Sequence, residues 1–171
     1  MKNAALLLFT LALSNLSAAS SQSVSLNDTV TYEGTMTPAP GAKNKEVFGF
    51  IQQLTVAAVN LATNTEASNY SVKTTLFLPD GSSKDGLQTL AATEIKSREE
   101  IHAMLSDCKK AGANFEKISV SGGSFDTCAF DDGNGSKVWL GDVPFNVVKQ
   151  TTLDEGKNVI DIEISLFSFG Q

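Results

Sequence analysis

The stretch "SREEIHAMLSDCKKAGANFEKISVSGGSFDTCAF", Ser97 to Phe130, decides the fold, because the hydrophobic period changes inside it and a cysteine lies on either side of the change. Ser97 followed by Glu100 is a capping box, in which the hydroxyl accepts from a free backbone N–H and the carboxylate returns to the cap N–H. Ile101, Met104, Leu105 and Cys108 then fall at helical spacing on one apolar stripe. Lys109 and Lys110 suit the last turn and Gly112 can end it, so one helix is expected near residues 98–110. From Ile118 onward the period is two, and Gly122-Gly123 supplies the positive φ that a tight hairpin needs.

Two cysteines twenty residues apart, one on the inward stripe of the helix and one on a strand, are expected to form a disulfide between Cys108 and Cys128. One histidine and two cysteines do not complete a common structural zinc site, and no C-x-x-C redox spacing is present.

The rest of the chain also has period two. Phe48, Phe50, Leu54, Val56 and Ala58 share a face, as do Tyr70, Val72, Leu76 and Leu78. In "NVIDIEISLF" the residues Ile160, Ile162, Ile164 and Leu166 are expected inward, with Asp161, Glu163 and Ser165 toward water. Short turns at Asp80-Gly81, Asp131–Ser136 and Asp154–Lys157 imply neighbouring antiparallel strands. Pro38, Pro40 and Gly41 mark a loop between the first two strands. The class is α+β, mostly β: about eight to nine antiparallel strands with one packed helix.

"MKNAALLLFTLALSNLSAAS" has a single basic residue, Lys2, then an apolar run from Ala4 to Leu13 and small residues. This predicts a signal peptide over residues 1–19, cleaved near Ala19, and an exported location, periplasmic or secreted. No other apolar stretch reaches membrane length, so no membrane span is expected. The nearest cysteine to the cleavage site is Cys108, so no lipid anchor is expected either. Residues 20–171 are long enough for one domain. The net charge of −6 becomes one unit more negative once Lys2 is removed, which argues against a nucleic-acid partner.

The C-terminal third resembles exported Gram-negative envelope proteins of mostly unassigned function. Val120, Gly123 and Phe125 match their hairpin, and Trp139 their aromatic strand. Pro144, Val147, Val148 and Lys149 match the segment that follows, and Leu166, Phe169 and Gly170 the end. Ser121 and Gly122 stand where those proteins have Pro-Ala, and Ser124 where they have Thr. The resemblance implies a LolA-like half-barrel, a curved antiparallel sheet around a helix that can hold an apolar chain.

Trp139 and Phe145 can either pack the core or line a ligand cavity. Pro144 is expected to end or kink an edge strand. Phe167 and Phe169 fall on the polar face of the last strand and suggest a contact with another envelope protein. His102 lies beside the helix stripe, and the chain has no G-x-S-x-G, H-E-x-x-H or phosphate-cradling loop. Asp132, Asn134 and Ser136 alternate like calcium ligands, but Lys137 stands where such a loop needs glycine, so no metal site is predicted. The expectation is a non-enzymatic protein without cofactor that binds an apolar ligand or lipidated partner. Protein contact alone is the alternative, and a carboxylate hydrolase the last.

Overall fold

A computed structural model describes residues 24–43, 45–60, 68–154 and 157–170. The expected leader and its cleavage site lie outside the described residues. Nine antiparallel strands form one open, curled sheet, the half-barrel shape, with one helix packed on it. The strands are β1 (Thr29–Thr37), β2 (Phe48–Asn60), β3 (Asn69–Phe77), β4 (Ser83–Ala91), β5 (Asn114–Val120), β6 (Gly123–Asp131), β7 (Lys137–Leu140), β8 (Val147–Leu153) and β9 (Val159–Ser168), and the helix α1 is Arg98–Ser106. Their order across the sheet is β4-β3-β2-β1-β9-β8-β7-β6-β5, so the last strand sits at the centre beside the first. No helix among the described residues is long and apolar enough to cross a membrane.

The alternation divides the sheet into a covered and an open face. Val30, Tyr32, Leu54, Val56, Val72, Val148 and Ile164 form the larger core under loops that contribute Val24, Ile95, Val143 and Phe145. Ile101, Met104 and Cys108 make a smaller core with Cys128, Val138 and Leu140. Tyr32 is buried, its hydroxyl donating to the Val147 carbonyl at 3.0 Å, and burial pushes its pKa well above the ordinary phenol value.

The capping box is present: Ser97 Oγ accepts from the Glu100 N–H at 3.2 Å, and Glu100 accepts from the Ser97 N–H at 2.7 Å. The helix is shorter than expected, however. It stops at Ser106 because Asp107 leaves helical backbone, at φ −150° and ψ 73°, and its carboxylate accepts from the Lys110 N–H, a local bond that competes with the helix ladder. Cys108 therefore lies past the helix, where its carbonyl accepts from Ala111 and Ala113. It is still buried, and the Cys108–Cys128 disulfide joins this turn to β6.

Three register shifts interrupt the pairing, one of them between Trp139 and Leu140 on β7 and β8, and the other two change the faces that period-two reading assumes. In β2 the register slips between Val56 and Ala58, so Val59, opposite Tyr70, packs toward the core and Ala58 loses its expected place. In β9, Thr31 pairs with Leu166 but Tyr32 pairs with Ile164, leaving Ser165 as the extra residue, its hydroxyl donating to the Thr31 carbonyl. Leu166 is thereby turned out and is 67% exposed, while Phe167, opposite Val30, turns in.

The hairpin glycines have different tasks. Gly123 has φ +135°, but Gly122 does not have positive φ and is needed for space, since its N–H donates to the Ile164 carbonyl at 2.8 Å. That bond uses the part of β9 beyond its pairing with β8, which ends at Glu163. The edge hairpin thus reaches back to the central strand. At the chain end, the buried Asp28 carboxylate accepts from Ser25 and Gly170 N–H groups, and a Cβ on Gly170 would collide with the Leu26 carbonyl.

Pro144 marks no edge strand. The edges are β4 and β5, and Pro144 is buried in the connection between β7 and β8.

Candidate functional site

Along β7, Val138 and Leu140 point into the core, so Lys137 and Trp139 stand on the open face. The Trp139 indole N–H and the Lys137 ammonium each donate to Glu116 of β5 at 2.7 Å, one to each carboxylate oxygen. They reach across β6 because it offers only Thr127 and Ala129 there, both small and buried. Lys137 first and the Trp139 indole second hold the Glu116 carboxyl below its ordinary range. Lys137 Nζ lies 4.6 Å from the Trp139 ring centroid and Lys149 Nζ 5.8 Å.

The curl brings β5 opposite β8 and β9 around this residue. Ile118 and Val120 on one side and Lys149, Thr151 and Asp161 on the other enclose a hollow of about 650 Å³ with Trp139 and Glu116 in its wall. The Thr151 hydroxyl donates to Asp161 at 2.5 Å.

Next to it, a wider groove of about 1090 Å³ opens over β1, β2 and β9. Its lining is mainly apolar: Val47, Ile51 and Phe77 come from the open face, and Met36, Phe48, Phe50 and Leu78 join them from the other pleat phase at the end of the sheet. Exposure is the informative property here, because Val47 is 56% exposed and Ile51 and Phe77 are each 43% exposed. Gly34 allows the Phe50 ring to lie across β1; a Cβ there would overlap that ring. At the inner end, Glu33 and Glu163 are cross-strand partners, with the Ser121 hydroxyl donating to both at 3.4 and 3.3 Å and Lys149 Nζ 3.7 Å from Glu163. Lys149 and Asp161 line the groove and the Trp139 hollow alike, so the two are continuous.

The residues singled out in the sequence do not gather here. Trp139 lines the hollow. Phe145 does not join it: its ring is buried in the larger core, and its backbone has φ +62°, strained for a bulky residue and held by that packing. The neighbouring Asn146, at φ +63°, accepts from the Lys96 N–H and donates to the Lys96 carbonyl, pinning the same loop.

Phe167 and Phe169 also differ from the expected pair of outward aromatics. The Ser165 bulge sends Phe167 inward, where its ring meets Phe125 at 5.9 Å and Phe169 at 5.8 Å. Phe169 is covered by the Arg98 guanidinium, 4.6 Å from its centroid. Arg98 also grips Asp142 with two hydrogen bonds, of 2.9 and 2.8 Å, and His102 Nε2 adds a contact at 2.9 Å. Arg98 first, and His102 after it, hold the Asp142 carboxyl below the usual range. His102 thus ties the helix to the β7–β8 connection. Asp132 is likewise used locally, accepting from the Asn134 and Ser136 N–H groups that shape the turn.

Val47, Ile51 and Phe77 were not singled out in the sequence. Ile51 and Phe77 do break the alternation of β2 and β3, each being an apolar residue on the polar phase, and that out-of-phase pair is the available signal. No family model matches the chain, and no curated protein does either.

Proposed function

We propose that the protein is an exported, non-catalytic binder that holds the apolar chain of a ligand or lipidated partner in the groove lined on the open face by Val47, Ile51 and Phe77. The observation that supports this reading is the placement of Ile51 and Phe77. They are cross-strand partners on the solvent-facing side of a sheet whose core lies on the other side. Folding leaves each of them 43% exposed, and burying that remaining surface under a ligand recovers roughly 25 cal/mol for each Å² removed from water. The Glu33 and Glu163 carboxylates at the inner end are engaged by Ser121 and Lys149 as part of the wall, which favours binding over hydrolysis.

Native mass spectrometry of the protein purified from the exported fraction, followed by organic extraction, tests the proposal. A stoichiometric acyl-bearing adduct that is absent from an Ile51→Asn, Phe77→Ser variant of unchanged stability is the expected result. A bare mass that stays bare after palmitoyl peptide is offered would contradict it and favour protein contact without a ligand.

A further inference from the structure

The groove is apolar at its outer end but not along its whole length, and its charged groups have one predominant sign. Glu33, Glu46, Asp80, Asp161 and Glu163 line it, with Lys149 as the one cationic residue in its wall among the described residues. Lys149 is already engaged by Glu163, and in the adjoining hollow Lys137 is engaged by Glu116. Among the described residues, Glu33 is met by the hydroxyl of Ser121 and Asp161 by that of Thr151, and no ammonium or guanidinium group lies within ion-pair distance of either. The two acids sit on neighbouring strands, β1 and β9, where the apolar groove runs into the Trp139 hollow.

Resting on the groove reading above, we infer that the ligand is an amphiphile with a cationic head, an ammonium group seated between Glu33 and Asp161 with its chain along Ile51 and Phe77. An anionic head at the same place would face the Glu33 and Asp161 carboxylates, and the nearby ammonium, that of Lys149, is already paired with Glu163. In a partly desolvated trough that repulsion is stronger than on an open surface. The chain supplies affinity and the acids supply discrimination.

The test uses three amphiphiles with the same twelve-carbon chain, each below its micelle concentration: dodecylammonium chloride, dodecyl maltoside and sodium dodecyl sulfate. Calorimetric titration into the full protein at low salt is expected to show dodecylammonium binding about tenfold more tightly than dodecyl sulfate, with the maltoside between them. Raising the salt narrows the gap. A Glu33→Gln, Asp161→Asn variant is expected to remove most of the ammonium preference while leaving maltoside affinity unchanged. A Glu99→Gln, Asp126→Asn variant, at two exposed acids that do not line the groove or the hollow, keeps the preference, which separates the trough from general attraction to an acidic protein.

Butylammonium, with the charge but not the chain, is expected not to bind. If dodecyl sulfate and the maltoside bind as tightly as dodecylammonium, the inference about the head group is overturned while the groove reading stands. If none of the three binds, the groove reading itself fails.

Discussion

The Gly122 N–H donates to the Ile164 carbonyl at 2.8 Å, joining the tip of an edge hairpin to the central strand of the same sheet. A Cβ on Gly122 would stand 2.9 Å from that carbonyl oxygen and 3.3 Å from Ile164 Cγ2, so the contact requires a residue without a side chain. Curling β5 back toward β9 in this way is what walls the Trp139 hollow.

Gly122→Ala is therefore expected to destabilise the protein by roughly 1–3 kcal/mol, through overpacking and the lost bond. Urea unfolding followed by circular dichroism measures this. An unchanged midpoint would mean that the hairpin tip does not dock on β9.

The Cys108–Cys128 disulfide lies in the smaller core with Ile101 and Met104. In the chain-entropy picture a loop closed over twenty residues is worth about 3 kcal/mol. A Cys108→Ala, Cys128→Ala variant is expected to lose about that much in chemical denaturation while keeping a native-like far-ultraviolet spectrum. A loss well under 1 kcal/mol would show that the α1 region is held by packing alone.

Trp139 is the only tryptophan, so its emission reports on Glu116. Because the Glu116 carboxyl is held below its ordinary value, its contribution to stability is fully present above the unfolded-state pKa of about 4.3 and is lost as pH falls through the lower folded value. An emission change is expected with a midpoint below about 4.3, and Lys137→Met is expected to move it upward, since Lys137 is the larger cause. A midpoint that stays in place in the variant would remove Lys137 from the account.

Much of the fold can be read from local chemistry. The capping box at Ser97 and Glu100, the strand alternation and the pairing of the two cysteines depend on residues close in sequence, and each has its structural counterpart. What could not be read is where one residue is inserted. Ser165 and the slip after Val56 reverse the faces beyond them, so Leu166 and Phe167 exchange places and Ala58 yields to Val59. A bulge is chosen by the partner strand, and the partner of β9 is β1, more than a hundred residues away.

The same limit applies to the site. Trp139 was legible as a large amphipathic surface, but Glu116 and Lys137 around it depend on a curl that no local pattern encodes. Phe145 carried the same aromatic signal and is core, because its loop turns through two positive-φ residues into the sheet.

The most direct test of the groove is a backbone amide chemical-shift map of the protein titrated with dodecyl maltoside below its micelle concentration. Perturbations gathered on Val47, Ile51, Phe77 and Glu33, weakened in the Ile51→Asn variant, are the predicted result. Perturbations confined to the edge strand around the exposed Leu87, or none at saturating probe, would contradict the claim that the open face of this sheet is a binding groove.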